Sequence, residues 1–449
     1  MDRRCRTAVW PLAILLVQVV LVGGWLGATG RLQPRTVNDT AGYDAFPWQS
    51  WKTALSYYRT PAYPAFLRVC RVFAHDHRHV PAAHFALYSA AVFVLYLGIG
   101  RITANYPAAC VGASILLYSR ILHGYVYNVA TDSVAAAVGI AVCGLALWRV
   151  AGGGVVVVSC LALAVMTGWL IRPAYLFLVL VAPALTWLLH PLRSDAATRS
   201  RWGEVALVAA LSTGPLAAYS LLRYCVVERF GVVSYGGHAQ IGICGQFLEE
   251  ADLPRLSADL QPVARLALEN LSSETFPKHR FDGEPRLHYS RMEERFDAVI
   301  WYEFVPAARQ LLGDSSLEVD GALRRLSAAL IRLHPERYAV WIAKATRQAA
   351  KKVLWDFADN PVTLALLIAA IPIVCGPKFL KRVLPSTAAS PSRIMLVVAT
   401  TYLVLNLMFI IPVCPPLGRF TDAAAVLLAA PLALWLYGQV RAWPMAAPG

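Results

Sequence analysis

The chain has 449 residues, of which 57% are hydrophobic and only 15% are charged. Its mean hydropathy of +0.51 excludes an ordinary soluble globular domain, in which about a quarter of the residues are charged. A formal net charge of +14 would suggest nucleic-acid binding in a soluble protein, but basic residues in a membrane protein are first explained by topology. We therefore expect no nucleic-acid partner.

The basic residues are concentrated in alternate segments between long apolar runs. Runs long enough to cross about 30 Å of hydrocarbon recur from Ala8 to Gln439. Cytoplasmic loops carry an excess of Lys and Arg, so we expect these basic segments and both termini to lie in the cytoplasm. The residues that set this orientation are Arg3, Arg4, Arg6, Arg101, Arg149, Arg193, Arg199, Arg201, Lys378, Lys381, Arg382, Arg393 and Arg441.

Residues 1–222 predict an N-terminal transmembrane module. An uncleaved span over 8–28 is favoured over a signal peptide, because the apolar stretch is longer than a usual signal core and lacks a small-x-small site. A polar and aromatic outer loop over 31–80 follows. Proline disfavours helix in the preceding residue, so Arg172-Pro173 is expected to divide the long run at 154–189 into two spans. The other spans are expected at 81–100, 108–122, 133–148 and 204–222.

Residues 223–360 mix charges of both signs and predict a mainly helical extracytoplasmic domain. The end of this segment, over 331–360, combines an apolar stripe with Lys and Arg at helical spacing. It is interpreted as an interfacial helix or, equally, as an ordinary amphipathic helix of the domain. The C-terminal transmembrane helices, over 361–449, contain spans expected at 361–376, 394–412 and 421–440. The predicted fold is an all-α polytopic membrane protein of about ten transmembrane helices, with the domain inserted before the last three.

The nine cysteines form no CxxC pair and no spacing typical of a zinc site. Cys225 and Cys244 are candidates for a disulfide in an outward compartment, and two free thiols are an equal alternative. The loop cluster of His75, Asp76, His77 and His79 has metal-capable side chains, although such clusters at a membrane surface often bind no metal. No cofactor is identified from these patterns.

Four ionisable residues are expected at the outer ends of spans. Asp39 lies in VNDTAGYDAF after the first span, Asp132 opens the fourth span in NVATDSV, Arg172 lies at the outward break, and Arg419 precedes the last span in PPLGRFTD. Ionisable groups near the hydrocarbon boundary are costly unless they are solvated or paired, so these residues predict one shared cavity. The alternatives are a turn residue at Asp39, a helix cap at Asp132 and headgroup anchors at both arginines.

This arrangement resembles the C-type fold of membrane glycosyltransferases that use polyprenyl-phosphate-linked sugars. That group includes protein O-mannosyltransferases and the aminoarabinose transferase of lipid A. The resemblance lies in the order of NDTAGY after the first span, RTPAYPAFLRV before the second, TDS at the start of the fourth, WLIRPAY, and GRFTD before the terminal span. It covers most of the first 190 residues and the C-terminal end, whereas 223–360 has no counterpart in it.

The resemblance implies an inverting transfer, in which a carboxylate deprotonates or orients an acceptor hydroxyl while the lipid phosphate leaves. Asp39 takes the position of the family's acid, and Asp44, five residues later, is the reserve candidate and a possible substrate contact. A carboxylate can accept the hydroxyl proton once an apolar setting raises its pKa, so we expect a raised pKa at Asp39.

The resemblance also implies supporting roles around the leaving phosphate. Arg172 and Arg419 are candidate phosphate partners through bidentate hydrogen bonds, and Arg59 in RTPAYPAFLR is a third. Asp132 is the second candidate catalytic residue, where it would position the acceptor, the donor or a divalent cation. Tyr43, beside the proposed base, is a candidate substrate contact.

We therefore expect a hexosyl- or pentosyl-transferring glycosyltransferase that acts at the extracytoplasmic face of the plasma (inner) membrane. Its partners would be membrane lipid, a polyprenyl-phosphate-sugar donor, and a glycan, lipid or protein acceptor. SYGGHAQ, at the start of the predicted domain, is interpreted as a turn or acceptor loop in which His238 and Gln240 are candidate contacts. The alternatives are a membrane transporter or lipid flippase, and a noncatalytic envelope-assembly subunit.

Overall fold

The computed structural model describes residues 3–74, 76–192, 200–272, 289–374 and 390–442. Within these ranges the secondary structure is helical, with no β-strand and with an isolated bridge between Arg35 and Asn128. The predicted all-α membrane class is confirmed for this part of the chain.

The N-terminal half consists mainly of apolar helices. Three short helices of the first loop lie between the first long helix and the second. Several of these begin at side-chain caps: Asn105 accepts a hydrogen bond from the Ala108 amide, and Ser200 accepts one from Gly203. The helices are α1 (Arg3–Ala28), α2 (Thr40–Asp44), α3 (Trp51–Ser56), α4 (Ala62–Phe73), α5 (Val80–Thr103), α6 (Tyr106–Leu117), α7 (Arg120–Val126), α8 (Asp132–Val150), α9 (Val155–Ile171), α10 (Leu178–Leu189) and α11 (Arg201–Val227).

The C-terminal half begins with shorter helices and ends with apolar ones. A π-helical stretch, Val299–Phe304, joins two of the shorter helices. The helices are α12 (Gly236–Cys244), α13 (Gln261–Ser272), α14 (Tyr289–Ala298), α15 (Val305–Leu312), α16 (Ser316–Leu333), α17 (Pro335–Asp359), α18 (Pro361–Val374), α19 (Pro391–Ile410) and α20 (Gly418–Ala442).

Seven helices in the described residues are long and apolar enough to cross a membrane, and two bent helix pairs raise the number to as many as nine. α9, with 17 residues, is a shorter apolar helix. The predicted count of ten spans stays a prediction. The seven candidate spans are Val9–Ala28, Val80–Thr103, Asp132–Val150, Pro173–Leu192, Arg201–Val227, Pro391–Ile410 and Ala423–Arg441.

The two bent pairs have identifiable local causes. α6 and α7 meet at 58°, where the Ser119 side chain accepts a hydrogen bond from Leu122 and starts a new helix. α17 and α18 meet at 85° around Asn360, which is extended because Pro361 follows it. α17 therefore runs nearly perpendicular to α18, and the assignment of α17 to the membrane interface stays a prediction.

α5 and α8 pack so closely that their backbones touch. A Cβ atom added at Gly98 would lie 2.3 Å from the Gly144 carbonyl oxygen, and one added at Gly144 would lie 2.7 Å from the Leu95 Cα atom. Small residues permit this approach, which is a recurrent way for helices to associate in membranes, where water no longer drives apolar surfaces together. The contact holds the start of α8, and so Asp132, in a fixed position relative to α5.

The helices between α11 and α18 form a second core, separate from that of the membrane bundle. Its buried members include Phe247, Phe304, Leu326 and Trp341. The end of α19 joins this core, because the Trp341 indole donates a hydrogen bond to the Ile411 carbonyl at 3.1 Å. In the described residues these helices thus form a unit with its own interior, attached to the end of a candidate span, and the assignment of 223–360 as an extracytoplasmic domain stays a prediction.

Arg223 connects this unit to the first loop. Its side chain is 1% exposed and donates hydrogen bonds to the Leu55 carbonyl, the Gly231 carbonyl and the Ser234 hydroxyl, at 2.9, 2.9 and 2.8 Å. A buried guanidinium needs its donors satisfied, so these neutral acceptors tie α3 to the segment that follows α11. The segment from Gly231 to Ser234 is therefore held against the bundle.

We predict that Gly144→Ala lowers the free energy of unfolding by about 1–3 kcal/mol, because the added methyl group meets backbone atoms that cannot rotate away. Thermal unfolding of the purified protein in nanodiscs measures the effect. Gly214→Ala in α11 is the matched control, since nothing lies within 4 Å of a Cβ atom added there. If both variants melt at the temperature of the unmodified protein, the close approach of α5 and α8 is contradicted.

Candidate functional site

A cavity of about 390 Å³ lies at one end of the membrane bundle, which we call the site end. Most of its wall is apolar, and its charged side chains come from segments far apart in the sequence. A concave apolar pocket with a few convergent polar groups is the usual form of a small-molecule site. Of the predicted site residues, Asp39, Tyr43, Arg59, Arg172 and Arg419 line this cavity.

Asp39 is held between two arginines. It precedes α2 with a helical backbone, and its side chain makes no capping hydrogen bond. Instead, Arg59 Nη2 donates to Oδ1 at 2.6 Å, and Arg419 Nη1 donates to Oδ2 at 3.1 Å. Asp39 is therefore more than a turn residue, because its side chain bridges the first loop and the start of α20.

Arg59 is supported by aromatic rings as well as by Asp39. Its guanidinium carbon lies 4.8 Å from the centroid of the Tyr43 ring and 5.0 Å from that of Tyr58, within the range of cation–π attraction. Burial acts to lower the pKa of Arg59, but the charges of Tyr43 and Asp39 outweigh it and raise the pKa. Arg59 is consequently a fixed cation at the wall of the cavity.

Opposing effects set the pKa of Asp39. Burial acts to raise it, whereas the charges of Arg59 and Arg419 and the hydrogen bond from Arg59 lower it. The arginines prevail, and the pKa lies below the usual 3.8. The expectation that an apolar setting raises this pKa is wrong, because two guanidinium groups share the carboxylate.

A second ion pair lies beside the first. Asp132 is the first residue of α8, and its Oδ1 atom accepts a hydrogen bond from Arg172, the extended residue that separates α9 from Pro173. Both side chains are about 10% exposed or less. Arg172 Nη1 also lies 3.4 Å from the Arg419 carbonyl oxygen, so the two ion pairs are adjacent. The four residues singled out at the outer ends of spans are thus brought together.

The remaining two predicted residues have different positions. Tyr43 is buried in the cavity wall, with its hydroxyl 3.5 Å from the Thr131 hydroxyl. Asp44 lies outside the cavity lining, where it pairs with Arg71 and its Oδ2 atom lies 3.1 Å from His77 Nε2. Asp39 precedes α2 and lines the cavity, whereas Asp44 ends α2 outside the lining, so the proposed base and its reserve lie in different environments.

The polar cavity residues between α11 and α18 were not predicted from the sequence; they are Tyr235, Asp297 and Arg324. The glycines of SYGGHAQ lie beside Tyr235, but the predicted contacts in that segment were His238 and Gln240. His238 is buried behind the cavity wall, with Nδ1 3.3 Å from Asp320 Oδ1. No local pattern marked Asp297 or Arg324, because each belongs to an ordinary amphipathic helix.

The described residues include most of the candidate metal-binding side chains and both cysteines of the candidate disulfide. No group of three His, Cys, Asp or Glu side chains in those ranges is arranged to hold a metal ion. His75 lies outside the described residues, and Asp132 faces a guanidinium, which occupies the position that a cation would take. Cys225 and Cys244 are both free thiols, the first exposed and the second buried.

Comparisons of this chain with protein-family models, curated proteins and solved structures found no match. Its function is therefore inferred from the site itself.

We predict that the stabilisation contributed by Asp39 disappears on acidification. Its folded-state pKa lies below its ordinary value of 3.8, so the carboxylate stabilises the fold above about pH 4 and loses this contribution as the pH falls through the folded-state pKa. Asp39→Asn should lower the melting temperature by a constant amount between about pH 5 and 8, and the difference should shrink below about pH 4.

Melting curves over this pH range measure the difference, with Asp314→Asn as the control because the Asp314 side chain is 96% exposed. A gap between Asp39→Asn and the unmodified protein that widens on acidification would contradict the ion pairs described.

Proposed function

We propose that the protein is a membrane glycosyltransferase that moves a sugar from a polyprenyl-phosphate carrier to an acceptor at the extracytoplasmic face, with inversion at the anomeric carbon. In this proposal the chain has ten spans, both termini lie in the cytoplasm, and the site end faces outward. The observation that carries the proposal is a single carboxylate, Asp39, shared by Arg59 and Arg419 in the wall of a largely apolar cavity.

The two arginines suit a lipid phosphate. A phosphate monoester or diester is a better partner for two guanidinium groups than one carboxylate is, because it offers more oxygens in a geometry that matches their donors. Arg172, whose charge is compensated by Asp132, places a third guanidinium group next to Arg419. The apolar residues that form most of the wall give the first isoprene units of a carrier a place to pack.

Binding of the donor would activate the base. When the donor phosphate takes over Arg59 and Arg419, the lowering effect of their charges on Asp39 is lost while the raising effect of burial remains. The pKa of Asp39 then rises toward a value suited to accepting a proton. The oxygen of the acceptor hydroxyl bonds to the anomeric carbon, the bond from that carbon to the phosphate oxygen breaks, the phosphate leaves with the electron pair, and the hydroxyl proton passes to Asp39.

The cavity supports a one-sided reaction better than a transport route. Its described lining comes from the loop after α1, the start of α8, the break after α9, the second core, the end of α19 and the start of α20. At the opposite end, the last turn of α8 is joined to the first turn of α11 by a buried pair of Arg149 and Glu204. A transporter or flippase would need a path past that end, and a noncatalytic subunit would need no cavity.

We predict that Asp39→Asn abolishes sugar transfer and that Asp44→Asn retains it, because only Asp39 lies in the cavity. Cells that lack the protein are complemented with each variant, and their envelope glycolipids and glycoproteins are compared by mass spectrometry. The expected result is a sugar-bearing product with the unmodified protein and with Asp44→Asn, and no such product with Asp39→Asn. Transfer by Asp39→Asn at the normal rate would contradict the assignment of Asp39 as the base. If cells with and without the protein have the same glycolipids and glycoproteins, the transferase proposal is wrong.

We predict that Arg59→Ala and Arg419→Ala each weaken the binding of farnesyl phosphate by about tenfold or more, the usual cost of one charge-assisted hydrogen bond. Asp39→Asn should bind it at least as tightly as the unmodified protein, because the competing carboxylate is gone. Titrations in nanodiscs measure the dissociation constants, and Arg71→Ala, outside the cavity lining, is the control. Equal affinity in all four variants contradicts a phosphate site at these arginines.

A further inference from the structure

The cavity has a second wall whose chemistry differs from that of the two ion pairs. It is contributed by the helices of the second core and carries Tyr235, Asp297 and Arg324. Neither the proposed base nor the phosphate partners lie on this wall. A bound group that extends from Asp39 toward the second core would therefore contact this wall.

Tyr235 is held in a fixed position at the start of α12. It follows Ser234, whose hydroxyl accepts a hydrogen bond from the buried Arg223. Its ring stacks on His238, with centroids 5.5 Å apart and planes 5° from parallel. His238 in turn lies next to Asp320, which also accepts a hydrogen bond from the Gly237 amide at 2.7 Å. Stacking on His238 thus fixes the tyrosine ring at the cavity wall.

Tyr235 lines the same cavity as the first ion pair. Burial raises its pKa to about 12, with Arg59 opposing and Asp39 reinforcing that effect. The hydroxyl is consequently protonated at neutral pH and available as a hydrogen-bond donor beside the proposed base.

The charged residues of this wall offer both hydrogen-bond donors and acceptors. Asp297 is exposed, makes no ion pair within the described residues, and provides acceptor oxygens only. Arg324 donates from Nη2 to Asp320 Oδ2 at 2.6 Å and is 53% exposed, so donors of its five-proton guanidinium remain directed to solvent. A carboxylate at this position repels a second phosphate, whereas neutral hydroxyl groups can both donate to Asp297 and accept from Arg324.

We infer that this wall, formed by Tyr235, Asp297 and Arg324, is a saccharide-binding subsite that orients a sugar ring next to Asp39. The inference rests on the proposed function and adds the class of group recognised and the residues that recognise it. The apolar C–H face of a sugar packs on the Tyr235 ring, and its hydroxyl groups bind Asp297 and Arg324. The phosphate arginines and the saccharide subsite would then flank the anomeric carbon from two sides.

The test uses methyl glycosides of hexoses, pentoses and N-acetylhexosamines as probes. Saturation-transfer NMR is measured on the full chain in nanodiscs, because common maltoside detergents themselves carry sugars. We expect at least one glycoside to bind the unmodified protein, and Tyr235→Ala and Asp297→Asn each to weaken that binding by about tenfold. Tyr235→Phe, which keeps the ring, should retain more glycoside binding than Tyr235→Ala. Asp314→Asn, which changes an exposed acid between α15 and α16 outside the cavity lining, should bind as the unmodified protein does.

Farnesyl phosphate titrations of the same samples separate this inference from the proposed function. Retained phosphate binding in Tyr235→Ala, together with lost glycoside binding, supports a subsite distinct from the phosphate arginines. Glycoside binding that is absent from the unmodified protein, or unchanged in both Tyr235→Ala and Asp297→Asn, overturns the subsite while leaving the phosphate site and the transferase proposal standing. Normal glycoside binding with no phosphate binding by any sample overturns the proposed function instead.

Discussion

The arrangement of the site end depends on charge compensation in a largely apolar cavity. An ionised carboxylate in such a setting is stabilised only by water or by cations, and Asp39 obtains two cations from segments that are 20 and 380 residues away in the chain. The same requirement joins Asp132 to Arg172. Satisfying these charges brings the first loop, the break after α9 and the start of the last helix together, and the cavity is the space that remains between them.

Hydropathy and residue type were sufficient to predict the membrane class and the positions of most apolar helices, because each depends on a local stretch of sequence. Pro173 located the boundary at Arg172 for the same reason, whereas the bend at Asn360 was not predicted. The convergence of Asp39, Asp132, Arg172 and Arg419 was also predictable, since alternating basic loops indicate which ends of the spans share a side.

The chemistry within the site was less accessible from sequence. The lowered pKa of Asp39 depends on two arginines meeting one carboxylate, and no spacing along the chain encodes that distance. Asp39 and Asp44 look equivalent in NDTAGYD, yet Asp39 precedes α2 and Asp44 ends it, and their side chains lie in different environments. The wall formed by Tyr235, Asp297 and Arg324 depends on packing within the second core, and its residues carry no recognisable motif.

The backbone contact between α5 and α8 has a consequence for how the cavity opens. Asp132 starts α8 and pairs with Arg172, and α8 cannot slide along α5 without a clash at Gly98 and Gly144. Under the proposed function, a lipid donor that enters the cavity from the bilayer would therefore displace the opposite flank, formed by α19, α20 and the second core. Thermal motion should be unevenly distributed between a rigid α5–α8 pair that holds Asp132 and a more mobile flank that carries Arg419.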